Sequence, residues 1–163
     1  MASNLKESID VACPNFFSMH HAERFFTVRR RDHTPGVLAL RADLSSLKLP
    51  GTSEARHEVR VKHRLIEKDG RKLLEISWDP EDQTVPRFTG TLAGEAKDAG
   101  TTTLTLDGTY TPPGGVAGAA FDLVVGRKIA AATARALLAD IKEFMESDFQ
   151  TARATNLAAS PKE

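Results

Sequence analysis

The sequence predicts an α+β domain in which a curved antiparallel β-sheet wraps around one long C-terminal α-helix, and three observations lead there. Apolar residues recur every three or four positions from Gly118 to about Gln150 (Phe121, Val124, Val125, Ile129, Ala132, Ala136, Leu137, Ile141, Phe144 and Met145), which puts them on one stripe of a helix. Between about Arg56 and Thr111, apolar and polar residues alternate in segments separated by turn signals, as antiparallel strands do. The helix would span about 40–45 Å at roughly 1.5 Å per residue, and its alanines let it lie close to a broad partner, which the sheet supplies.

In chain order, Leu5 to Ala12 alternates Leu5, Glu7, Ile9 and Val11 against polar or small neighbours, a half-buried strand that Pro14 ends. Asn15 to Val28 carries the aromatic pairs Phe16-Phe17 and Phe25-Phe26 with Met19 and Ala22 between them, which suits a short amphipathic helix capped at Asn15. Pro35-Gly36 turns the chain. Val37 to Leu47 fits either a strand or a helix, and strand is preferred because Pro50-Gly51 returns the chain into an alternating segment. That segment sets His57, Val59, Val61, His63 and Leu65 on one face and Arg56, Glu58, Arg60, Lys62 and Arg64 on the other.

Asp69-Gly70 is the dipeptide that two-residue hairpins favour, since both central positions need positive φ. Lys72 to Trp78 follows, with Leu74, Ile76 and Trp78 on one face. After the EDQTVP loop comes Arg87 to Lys97, where Gly90 and Gly94 interrupt the apolar face and imply curvature or close approach. Ala99-Gly100 turns again, and Thr101 to Thr111 points Leu104, Leu106, Gly108 and Tyr110 one way. Pro112-Pro113-Gly114-Gly115 releases the sheet into the helix. Residues 1–150 form one domain on this reading, and 151–163, small and polar, a flexible tail.

The totals narrow the function classes. Lys plus Arg and Asp plus Glu each number 22 in 163 residues, so no global field draws the chain to nucleic acid. Arg29-Arg30-Arg31 reads as a solvated turn after a helix rather than a nucleic-acid patch. The one cysteine, Cys13, excludes an internal disulfide and fits a cytoplasmic location and a buried structural role. The N-terminus lacks a secretory pattern, and no apolar run approaches the roughly 20 residues needed for stable membrane insertion. Phosphate-loop, dinucleotide, nucleophile-elbow and zinc signatures are missing, so no cofactor is expected. His20-His21 with Glu23 imitates a metal fragment, but adjacent helical histidines diverge and no second ligand pair follows, so no metal is expected either.

Val11 to Pro14, TYTPPGG from Thr109 to Gly115, and the helix FDLVVGRKIAAATARALLADIKEFME together resemble the START-like superfamily, also called SRPBCC or helix-grip proteins and including polyketide cyclases. The likeness runs from about Leu5 to Asp148, although Arg29 to Ser53 departs from the family pattern. Such a resemblance implies a mostly apolar cavity between the concave sheet face and the helix, used in the family for lipids, quinones, sterols and polyketides.

On that footing the candidate ligand-binding residues are His57, Val59, Val61, His63, Ile76, Trp78, Phe88, Leu106, Tyr110, Phe121, Val125 and Arg127. His57 and His63 are unusual on an apolar strand face because a buried imidazole needs a partner; about 20 Å apart along the strand, they cannot share one metal ion. The bland alternative for each is a rim histidine. Trp78, Phe88, Tyr110 and Phe121 are candidate cavity walls, or plain core, with the Tyr110 hydroxyl able to orient a ligand. Arg127 stands for an entrance group or a surface arginine.

Three functions are weighed. The first is binding or transport of a small hydrophobic molecule. The second is a cyclase/aromatase-type enzyme in which His57, His63 or Tyr110 moves a proton. The third is a protein-interaction or co-chaperone role through an exposed patch at Phe16, Phe17, Phe25 and Phe26. The pattern is compatible with a homodimer.

Overall fold

The computed structural model describes residues 3–28, 37–43, 54–80, 87–111 and 119–159. The elements in chain order are β1 (Ser3–Val11), α1 (Asn15–Val28), β2 (Val37–Asp43), β3 (Glu54–Lys68), β4 (Arg71–Pro80), β5 (Arg87–Asp98), β6 (Thr101–Thr111) and α2 (Ala119–Ala159). The described strands form one six-stranded sheet in the order β1-β6-β5-β4-β3-β2, with every neighbour antiparallel. Four successive hairpins build β2 to β6, and β1 closes the other edge by pairing with β6.

Helix α2 packs against both edge strands, β1 and β2, while α1 packs on α2 and over β4 and β5. A sheet whose two edges meet the same helix must curl around it, so the helix is gripped. The buried stripe of α2 is Ala130, Ala134, Leu137, Leu138, Ile141 and Met145. Ile129, Ala132 and Ala136, expected on that stripe, are only partly buried. In a segment this rich in alanine, neighbouring angular choices of stripe differ little in apolar content.

The element boundaries follow local chemistry. Asp69 and Gly70 adopt φ of 54° and 74°, the left-handed pair that a two-residue hairpin needs. The ambiguous Val37 segment is a strand over Val37–Asp43, paired in register with β3; the rest of the stretch to Ser53 lies outside the described residues. Two expectations change. Helix α2 does not stop near Gln150 but runs to Ala159, since alanine-rich sequence without a proline or glycine gives nothing to end it. Leu65, expected on the buried face, is 37% exposed because it faces an open cleft between the sheet and α1 rather than packed side chains.

The β1–α1 corner is fastened by polar groups. Glu146 accepts the Ala12 backbone N–H at 2.9 Å, and Lys142 donates to the Asp10 carbonyl at 3.1 Å and to Glu146 at 2.5 Å. Thr102 donates its hydroxyl to the Cys13 carbonyl at 2.6 Å. Burial pushes the Glu146 carboxyl up, but the Lys142 hydrogen bond, the Ala12 N–H and the Lys142 charge outweigh it and hold the group below its ordinary value. Burial raises the Cys13 thiol to about 11, with the nearby Asp148 and Glu146 carboxylates adding to the effect, so this thiol is not a nucleophile near neutral pH.

Candidate functional site

Strand register assembles the concave face in rows. Val61 on β3, Trp78 on β4, Phe88 on β5 and Tyr110 on β6 stand opposite one another across four strands, and all are buried. Trp78 and Phe88 stack with ring centroids 4.4 Å apart and planes 22° from parallel. The next row is His63, Ile76, Gly90, Gly108 and Leu5; the third is Leu65, Leu74, Leu92, Leu106 and Glu7. A parallel arrangement of rings along one row follows from sequence alone only if the register is known, because alternation gives the face and not the partner.

The glycine pair explains why Phe88 can lie as it does. A β-carbon on Gly90 would stand 2.7 Å from Phe88 Cζ and 2.4 Å from the Asp107 carbonyl oxygen, and one on Gly108 would stand 2.8 Å from the same ring atom and 2.3 Å from the Thr89 oxygen. The tip of the ring therefore sits over two bare backbones, and no other residue type leaves it that room.

Tyr110 is 3% exposed, and among the described residues no group hydrogen-bonds its hydroxyl. That oxygen is not sealed away unsatisfied, so it reaches accessible space. A phenol in this position can donate to a carbonyl, a phenolate or a carboxylate on a molecule lying along the rings.

The expected site residues separate into groups. Val61, Trp78, Phe88 and Tyr110 share one row, Ile76 lies in the next, Leu106 in the third, and Val59 is buried at the β2 side of β3, paired with Leu38. His63 is half-buried and stacks on Phe26 of α1, with centroids 5.6 Å apart and planes at 28°, so α1 covers it. His57 pairs in register with Leu40, but its side chain, like those of Phe121 and Val125, lies outside the described residues. Arg127 is exposed on α2. Phe25 and Phe26 are buried, so they form no exposed patch; the side chains of Phe16 and Phe17 lie outside the described residues.

One polar cluster escaped sequence reasoning. His21 Nδ1 donates to Asp148 Oδ2 at 2.5 Å, and Arg24 Nε donates to the same carboxylate at 3.1 Å. His21 also meets Phe149 edge-on at 5.9 Å. The cluster joins α1 to α2. Its sequence signal was the His20-His21 pair, but the partner lies 127 residues away and no local pattern points to it. Among the described residues no group of histidine, cysteine and carboxylate side chains is placed to hold a metal ion, and no described helix is long and apolar enough to cross a membrane.

No protein-family model matches the chain, and no curated protein matches it in sequence. Solved structures do match in shape. The Zhui aromatase/cyclase from Streptomyces sp. R1128 superposes with a TM-score of 0.56 at 13% identity, over 90% of this chain and 94% of its own. A protein of Thermus thermophilus gives 0.51 at 12% identity over 90% and 99%. A norcoclaurine synthase of Thalictrum flavum, a point mutant with a transition-state analogue bound, gives 0.51 at 12% identity over 91% and 96%. At such identities the likeness is one of architecture, and together with the strand order and the gripped helix it gives the chain the helix-grip fold of START-like, polyketide cyclase-like proteins.

Proposed function

We propose that the protein binds a small hydrophobic molecule, of lipid, quinone or polyketide-like character, between the concave sheet face and α2. The observation that carries this reading is the Tyr110 hydroxyl: a donor at the end of a buried aromatic row, with no described protein group to receive its hydrogen. The rest of the row, Val61, Trp78 and Phe88, offers ring faces and methyl groups, so a planar apolar body with one acceptor fits it best. Val59, Ile76, Leu106, His57, His63, Phe121, Val125 and Arg127 complete the proposed lining and rim.

A second reading makes the protein a cyclase/aromatase-type enzyme. It is supported by the same hydroxyl and by the half-buried His63, either of which could move a proton while the cavity holds a flexible substrate folded. The Streptomyces and Thalictrum proteins, an aromatase/cyclase and a norcoclaurine synthase, lend this reading analogy of fold.

Native mass spectrometry of gently purified protein, followed by organic extraction, tests the first reading. The expected result is a co-purifying apolar molecule whose occupancy falls in Tyr110→Phe. An apo mass, together with no binding of lipid, quinone and polycyclic phenol probes by tryptophan fluorescence of Trp78, would overturn it. Turnover of a bound polyketide-like probe that Tyr110→Phe abolishes would move the protein to the second reading.

A further inference from the structure

On the concave side of the sheet, away from the aromatic row, a cleft of about 710 Å³ opens between α1 and the ends of β3, β4 and β5 that meet at the Asp69-Gly70 hairpin. Its volume lies in the range of small-molecule sites. Between it and the aromatic row lie the buried Leu74 and Leu92, two residues closer to Trp78 and Phe88 than Lys72 and Gly94 are. The Phe26–His63 stack adds a second barrier.

The cleft's chemistry is mixed in a specific way. Glu23 enters from α1 and Lys72 from β4, and neither side-chain charge has a partner among the described residues, the other included. Arg71, also lining the cleft, meets Glu95 at 3.1 Å, but both are about two-thirds exposed, where such a pair is weak and exchanges readily with an incoming carboxylate. Between these charges lie Met19 and Leu65, the large apolar side chain that stands exposed among the described residues.

An anion alone would meet Glu23 and Glu95, a cation alone would meet Lys72 and Arg71, and a neutral lipid would strip water from all four. We infer that this cleft binds a small zwitterion with an apolar side chain, of hydrophobic amino-acid or dipeptide chemistry. The ammonium lies on Glu23, the carboxylate on Lys72 and Arg71, and the side chain on Leu65 and Met19.

The test is amide-resolved NMR titration of the full chain with L-leucine and L-leucyl-L-leucine. Saturable shifts are expected at Leu65 to Lys72, Gly94 to Ala96 and the exposed face of α1, at affinities in the millimolar range suited to an open cleft. N-acetyl-L-leucine and L-leucinamide, each lacking one charge, should bind about tenfold more weakly, and Glu23→Gln and Lys72→Gln should each weaken binding by about fivefold. Both substitutions are at the surface, and their spectra report folding directly. Absence of saturable shifts, equal binding of the blocked analogues, or shifts confined to the Val61–Tyr110 row would overturn the assignment.

Discussion

At the β1–α1 corner, α2 is held by side chains that satisfy one another: Lys142 with Glu146 and the Asp10 carbonyl, Glu146 with the Ala12 N–H, and Asp148 with His21 and Arg24. About 26 Å away along β1, at the Tyr110 row, the sheet presents stacked rings and one hydroxyl with no protein acceptor among the described residues. Groups bonded to each other hold a fold and have nothing left for a ligand, whereas a donor that reaches accessible space without a protein partner contributes little to folding and can recognise something else. The two ends therefore respond differently to substitution: at the corner stability changes and binding does not, and at the Tyr110 hydroxyl the reverse holds.

The largest effect falls on Phe88, which belongs to the binding row but also roofs the glycine pair. Phe88→Ala is expected to cost about 3–5 kcal/mol in denaturant unfolding, because a cavity opens over two glycines that cannot fill it. A loss below about 1 kcal/mol would mean that the ring does not seal that row. Next comes Asp148→Ala at the corner, expected to cost about 2 kcal/mol by leaving buried His21 without its acceptor, with ligand occupancy unchanged. Altered occupancy would merge the two regions.

Glu146→Gln should cost about 1 kcal/mol at neutral pH. The native Glu146 carboxyl titrates below its ordinary value of 4.5, so its stabilisation is complete above that pH and fades as pH falls through the native value. The variant should accordingly show a shallower loss of stability on acidification below about pH 4.5, measured by urea unfolding across pH; an unchanged slope would remove Glu146 from the corner's electrostatics. The smallest stability effect belongs to Tyr110→Phe, within about 0.5 kcal/mol of the parent, while affinity for the ligand falls about five- to tenfold. A stability loss as large as that of Asp148→Ala would show that the hydroxyl is already used by the protein.

What could be read from the residues depended on range. Asn15 to Val28, Thr101 to Thr111 and the Asp69-Gly70 hairpin fall where local chemistry placed them, because caps, turns and alternation act over a few positions. Val59, Val61, Ile76, Trp78, Phe88, Leu106 and Tyr110 are buried as their alternation implied. Alternation cannot tell how closely a covering helix packs, which is why Leu65, facing a cleft beneath α1, is exposed. Nor can it reveal which residue stands opposite, so the Trp78–Phe88 stack and the glycine pair beneath it needed the register. The end of α2 was missed because a polar surface face resembles a fraying tail, and the His21–Asp148 bond because nothing local couples positions so far apart.

The pairing of β1 with β6 also sets an order of events. Ser3 meets Tyr110 and Val11 meets Thr102, so the first of these strands to leave a ribosome has its hydrogen-bond partner about a hundred residues behind it. The hairpins from β2 to β6 can each close as soon as they are made, but β1 cannot, and the corner that α2 fastens must wait until nearly all of these elements exist. Long-range closure of this kind slows folding and leaves an unpaired strand edge on the nascent chain in the meantime. Lys6, Ser8 and Asp10 alternate along β1 as its exposed face in the folded sheet, and charged and polar side chains of this kind disfavour wrong pairing at a strand edge.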